Sequence, residues 1–362
     1  MPTLPPWVPS ERLLCALLVL CIVTISTLDA EQPGDGTARL AARDAVEIDR
    51  TATAAALAAE PTTAPTATPR PTEAPIAAPT ARPPTNTPVV EPTVAPTEVA
   101  SPAVKLAGLL PTYRVLAFYG HPRSKAMGIL GEYDIETLYA KMKEQAAVYE
   151  AADPTRPVML AFEVIASVAQ PEPGADGTYL LYTGATAIDE YADFAAAHNM
   201  QLILDVQIGR ATVADEIEAV RPWLLRPNVH LALDPEFAVP EGSAPGDVIG
   251  GIDAADVAYA QETLAQISAE NNLPPKMLIV HQFVEWMIVD KAELVPVPGV
   301  QLVIEVDGFG VPVDKAAIYA QFVENEPIEF GGIKLFNRKD EPLMTPREVL
   351  ALTPSPDLVI YH

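Results

Sequence analysis

The sequence predicts an α/β fold, a (β/α)8 barrel of the TIM type, preceded by a hydrophobic N-terminal segment and a disordered Pro/Thr/Ala-rich stalk. Three observations carry that prediction. Eight short runs rich in Val, Ile and Leu recur between Tyr113 and His362, and near-continuous apolar runs of this length suit parallel strands covered on both faces. Seven segments of helical patterning separate them, several with acidic starts. Eight strands alternating with seven helices over 250 residues match a barrel in size and order. A doubly wound open sheet is the alternative, but FYGHPRSK follows the first run in place of a Gly-rich dinucleotide fingerprint.

The strand runs are RVLAFYG (114–120), VMLAFE (158–163), LILDVQ (202–207) and HLALDPEF (230–237). They continue as MLIVHQF (277–283), QLVIEVDGFG (301–310), GIKLFN (332–337) and DLVIYH (357–362). The clearest helical patterns are 134–152 and 253–272; shorter ones fall at 186–199, 212–224, 284–294, 313–325 and 345–352.

The rest of the chain is organised differently. Residues 13–23 (LLCALLVLCIV) are continuously apolar, short for a spanning helix but suited to a signal-peptide core. Residues 1–30 therefore read as a signal peptide or a retained signal anchor, and the protein as exported, either held at the cell surface or secreted. Positions 61–102 hold 12 prolines in 42 residues, and no aromatic lies between Trp7 and Tyr113. Such a chain cannot bury enough apolar surface to offset its ordering entropy, so 31–103 is expected to be a disordered linker, leaving 104–362 as one domain.

That domain carries 17 Lys+Arg against 37 Asp+Glu, a net charge of −20. So acidic a surface repels phosphate backbones and anionic lipid, which excludes nucleic-acid binding and confines membrane contact to the N-terminal segment. Both cysteines, Cys15 and Cys21, lie in the apolar segment, so neither a thiolate nucleophile nor a Cys-ligated zinc is available to the domain.

In a barrel, active sites form at the C-terminal strand ends, and inward side chains alternate with helix-facing ones. Parity gives an inner set of Tyr119 then His121, Glu163, Asp205 then Gln207, and Asp234 then Glu236. It continues with His281 then Phe283, Glu305 then Asp307, and Lys334 then Phe336. His230 begins its run and His198 ends a helix, so both read as structural; the parity of His362 is ambiguous. Six carboxylates face one inward lysine, and crowded like charges raise one another's pKa, which keeps a carboxylic acid protonated for general-acid work.

Glycoside hydrolysis needs such an arrangement, one carboxyl protonating the leaving oxygen and another acting as nucleophile or base. Within Asp234-Pro235-Glu236, Glu236 is expected to be the acid and Asp234 its partner, with Glu305 or Asp307 opposing them. Glu163 and Asp205 are further candidates, and Tyr119, Phe283 and Phe336 offer faces for sugar rings. His121, Gln207, His281 and Lys334 complete the substrate-binding set. The expected partner is a polysaccharide or cell-wall polymer, with no cofactor required.

Leu233-Asp234-Pro235-Glu236-Phe237 after a strand resembles the Asp-x-Glu ending of strand four in chitinase-like and lysozyme-like barrel glycosidases. Over its full length the domain is similar to a group of exported bacterial proteins without an assigned activity. The similar segments are GHPRSKAMGILGEY (120–133), LDVQIGR (204–210), NVHLALDPEF (228–237), VHQF (280–283), VDGFG (306–310) and GIKLF (332–336). The resemblance implies a shared barrel and export.

Two other readings stay open. His121, Glu163, Asp205, Asp234, Glu236, His281 and Asp307 also suit a divalent-metal site of a hydrolase or isomerase, although no short ligand signature is present. A barrel that binds a wall polymer without catalysis is the third. Lys334 stands where retaining glycosidases commonly place a nucleophile, which counts against the commonest retaining layout and leaves inverting or substrate-assisted chemistry open.

Overall fold

The computed structural model describes residues 107–362; the apolar segment and the proline-rich stretch lie outside the described residues. In chain order the strands are β1 (Arg114–His121), β2 (Ser124–Gly128), β3 (Val158–Ala169), β4 (Leu180–Tyr182), β5 (Gln201–Val206) and β6 (Val229–Leu233). They continue with β7 (Ile252–Asp253), β8 (Lys276–Gln282), β9 (Ile288–Val289), β10 (Val300–Val306), β11 (Phe330–Leu335) and β12 (Leu358–Tyr361). Eight of them pair in parallel in the order β1-β3-β5-β6-β8-β10-β11-β12, and β12 pairs back onto β1. The sheet is therefore a closed barrel, and each of the eight sequence runs supplies one barrel strand.

The α-helices are α1 (Ile135–Ala152), α2 (Ala185–Ala197), α3 (Val213–Leu224), α4 (Ala254–Glu270), α5 (Pro312–Tyr319) and α6 (Pro346–Leu350). Their starts follow local chemistry. Asp134 accepts the Thr137 N–H at the head of α1, and Thr212 with Asp215 and Thr345 with Glu348 form reciprocal capping boxes. Segment 284–294 is not the expected helix: it holds two short 3-10 turns around β9, which pairs with β7. Two aspects of that segment favour this: Val284, Ile288 and Val289 are β-branched, and Asp290 sits in the left-handed region at φ 55°.

Alternation along each strand builds two cores. Outward Leu116, Phe162, Leu204, Leu231, Val280 and Ile304 pack under the helices. Inward Val115, Ala117, Ala161, Ile203, Ala232, Ile279, Val303 and Ile360 fill the barrel itself. At the N-terminal end, Leu110 exchanges hydrogen bonds with the Gln301 amide at 3.2 and 2.6 Å. His230 ties adjacent strands there, accepting the Met277 N–H at 3.0 Å and reaching Gln201 Oε1 at 3.1 Å, a structural role as expected. The apolar filling ends partway up, and the inward positions above it are polar.

Candidate active site

The parity that buries Ala117 and Ala161 carries Tyr119 and Glu163 one step higher, where β1 and β3 register them side by side. The same step places Asp205 above Ile203, Asp234 above Ala232, His281 above Ile279 and Glu305 above Val303. Glu305 registers with His281 on one side and Gly332 on the other. Gly332 matters here because a Cβ at that position would stand 3.1 Å from Glu305 Cγ. Lys334, two residues on, then overlooks the glutamate's strand.

Hydrogen bonds and one cation–π contact link several of these groups across the barrel, while Glu305 has no hydrogen-bond partner among the described residues. His281 lies 3.1 Å from Glu163 Oε1 through Nε2 and 2.9 Å from Asp307 Oδ2 through Nδ1. Lys334 Nζ donates to the same Asp307 oxygen at 3.1 Å and sits 3.5 Å over the Tyr119 ring. Tyr119 donates its hydroxyl to Asp205 Oδ2 at 2.9 Å, and Gln207 uses its amide oxygen to accept the Ala169 N–H at 2.9 Å. Asp234 Oδ1 accepts the Glu236 N–H at 3.2 Å, bending the chain after β6 into a 3-10 turn over Pro235–Phe237. Glu163, Asp205, His281 and Glu305 are wholly buried, whereas Glu236 is half-buried at the mouth.

Burial decides the protonation pattern, and neighbouring charges then divide it. Desolvation, followed by the Asp234 and Asp307 charges, holds the Glu236 carboxyl well above the ordinary range. Burial also lifts Asp205 to about 8 and Glu305 to about 8, the latter with help from Asp307. It lifts Asp234 to about 6, against the opposing pull of His281. Asp307 goes the other way: burial is overcome by Lys334 and by the His281 hydrogen bond, so its carboxyl is held below the usual range. Burial and the Lys334 charge oppose protonation of His281, but its bonds to Asp307 and Glu163 prevail and raise it. The barrel thus contains two internal cations and sorts its carboxyls into protonated and ionised members.

Asp234, His281 and Asp307 each bring one oxygen or nitrogen into a group spanning 4.8 Å or less, the spacing a metal ion would need. A histidine ligand must offer a neutral nitrogen. Both His281 nitrogens are instead committed to carboxylates, and Lys334 already lies against Asp307. The arrangement fits an internally neutralised cluster better than a divalent-cation site.

Three expected residues are placed differently from the rest. His121 ends β1, half-buried, and its hydrogen bond is local: its Nδ1 accepts the Arg123 N–H at 3.1 Å. Phe283 is half-buried beside Gly308, outside the hydrogen-bonded system. Phe336 is buried, edge-on to Phe309 and tilted against His362. Tyr119 belongs to the cluster, but its ring is covered by Lys334 and stacked on His362 at 5.3 Å.

The structure adds residues that parity did not single out. His362 lies between Tyr119 and Phe336, and burial with the Lys334 charge lowers it to about 3. Counting inward positions onward from Ile360 reaches it. Lys315 and Asp340 carry no sequence signature because they pair with each other and with backbone groups.

No protein-family model and no curated protein matches this chain. Among solved structures, the GH26 domain of an endo-β-mannanase/endo-β-glucanase from Prevotella bryantii is similar at 10% identity, with a TM-score of 0.32. The match covers 69% of this chain and 84% of that one. At that level it carries no argument about chemistry, and the barrel assignment rests on the strand pairing itself.

Proposed function

We propose that this protein is an exported, glycoside hydrolase-like barrel that acts on a polysaccharide through the carboxyls at its mouth. The observation that carries the reading is the contrast between two mouth groups: burial and the Asp234 and Asp307 charges raise Glu236, whereas Lys334 and His281, both bonded to Asp307, lower it. A glycosidase needs that division of labour, an acid for the leaving oxygen and a base or nucleophile opposite it.

In this scheme Glu236 gives its proton to the glycosidic oxygen as the bond from that oxygen to the anomeric carbon breaks. Asp307 takes a proton from the water that forms the new bond to the same carbon. Lys334 and His281 keep Asp307 unprotonated between turnovers, the state a group facing the attacking water must hold. Asp234 fixes the Glu236 backbone and, through its charge, helps hold the proton on Glu236. Phe309, half-buried and edge-on to the buried Phe336, supplies apolar surface for a sugar ring. Glu163 and Asp205 act indirectly, as acceptors for His281 and Tyr119.

The test is release of new reducing ends from soluble cell-wall and exopolysaccharide fragments. Glu236→Gln should lower the rate by about 10²–10⁴-fold, the range for a general acid, with little change in thermal midpoint. A variant that loses its fold instead makes Glu236 structural. Chelator should leave the wild-type rate unchanged; a rate abolished by chelator and restored by Mg²⁺, Mn²⁺ or Zn²⁺ would establish the metal-dependent reading. Binding of a fragment without any product would establish the non-catalytic one.

A further inference from the structure

Beneath the mouth lies a second buried ion pair that takes no part in the chemistry above. Lys315, on α5, and Asp340, in the turn after β11, are wholly excluded from solvent at their charged ends and stand 3.2 Å apart. A buried pair of this kind gives little net stability, because desolvating two ions costs about as much as their attraction returns. Its use has to be sought in what else the two groups hold.

Every additional bond they make ends on the backbone that carries Asp307 or Lys334. Lys315 Nζ donates to Gly308 O at 2.5 Å, the residue after Asp307, and to the carbonyl of Lys334 itself at 2.7 Å. Asp340 Oδ1 accepts the Gly310 N–H at 2.8 Å, and Oδ2 accepts the Phe336 N–H at 2.8 Å. Two charged groups thus tie the exit of β10 to the exit of β11. Gly308, Gly310 and Phe336 lie beyond the regular strands, since β10 ends at Val306 and β11 at Leu335. Without the pair, the backbone on either side of the Asp307–Lys334 contact would lack these four cross-ties.

We propose that the Lys315–Asp340 pair is a positioning device that holds Asp307 against Lys334 and His281. The catalytic consequence rests on Asp307 being the base, but the geometric claim does not. Loosening the two exits moves Asp307 relative to His281 Nδ1 while leaving the His281 Nε2 contact to Glu163 alone, because Glu163 comes from β3 on another part of the wall. The pair therefore controls one of the two His281 hydrogen bonds selectively.

That selectivity supplies the experiment. Histidine side-chain NMR of the full chain at neutral pH should show two exchange-protected His281 ring N–H signals, one facing Asp307 and one facing Glu163. In Lys315→Met/Asp340→Leu, an apolar replacement of both partners, the Nδ1–H signal should be lost and the Nε2–H signal kept. Asp340→Asn, which keeps one acceptor oxygen and disturbs the fold less, should weaken the same signal alone. Lys276→Met, which removes a buried lysine bonded to Arg226 O away from the mouth, should change neither signal. Where hydrolysis is measurable, the double variant should lose about a hundredfold in kcat with KM nearly unchanged, the scale of an ångström-level misplacement. Retention of both signals in the folded variants overturns the positioning role, as does loss of both together or the same loss in Lys276→Met. Normal NMR behaviour with no hydrolysis by any form would overturn the enzymatic reading and leave the device standing.

Discussion

Glu305 shows how one side chain reports on the barrel as a solvent. It is fully buried, neither carboxylate oxygen has a hydrogen-bond partner among the described residues, and the nearest cation, His281 Nδ1, is 3.8 Å away. Burial first and Asp307 second raise it to about 8. A free glutamate releases its proton near about 4.3, so between that point and about 8 the folded state binds the proton more tightly than the unfolded chain. Stability contributed this way is complete below the unfolded value and is lost as pH rises through the folded one. Asp205, raised to about 8, adds to the same trend. The thermal midpoint should therefore fall between pH 5 and pH 9, and Glu305→Gln, which cannot titrate, should flatten that fall. An unchanged slope in the variant would show that Glu305 ionises normally in the fold.

At the scale of elements, β11 is shaped by two consecutive glycines facing opposite sides. A Cβ on Gly331 would stand 2.5 Å from Val323 Cγ1 and 2.6 Å from Tyr319 Oη, so the helical layer packs directly on the strand backbone. A Cβ on Gly332 would be 3.1 Å from Glu305 Cγ and 3.2 Å from Val303 Cγ1. Overpacking of this kind costs about 1–3 kcal/mol, and the closer approach at Gly331 ranks it first. Gly331→Ala should therefore lower the thermal midpoint more than Gly332→Ala, a comparison calorimetry reads directly; the reverse order would place the tighter packing on the barrel side. The strands themselves were legible because period-two alternation is local: Ala117 below Tyr119, and Ile279 below His281, can be read without knowing the neighbours. The irregular segment 284–294 was not, since its apolar spacing also fits a helix and only the β7–β9 pairing decides the outcome. The short antiparallel additions β2 and β4 escaped notice for the same reason, being held by their partners β1 and β3 rather than by a pattern of their own.

Across the whole molecule, the acidity of −20 over residues 104–362 separates into two kinds. Most carboxylates lie on the surface, while a minority meet inside the mouth, where low polarity and two cations set their protonation individually. The sequence could show that these carboxyls share a face. It could not show which would keep a proton, because that depends on Lys334 and His281 both reaching Asp307 across neighbouring strands. The central claim is that this sorting is catalytic. Its most direct test is the pH dependence of kcat/KM for reducing-end release, compared between wild type and Glu236→Gln. Activity requires Glu236 protonated and Asp307 ionised, so the rate should hold level through mildly acidic pH, fall as pH rises through the elevated Glu236 value, and fall in acid only as Asp307 takes up a proton. In Glu236→Gln the residual rate should lose the alkaline limb and keep the acid one. A wild-type rate that climbs steadily with pH through the neutral range, or an alkaline limb that survives in Glu236→Gln, would contradict the assignment of the acid.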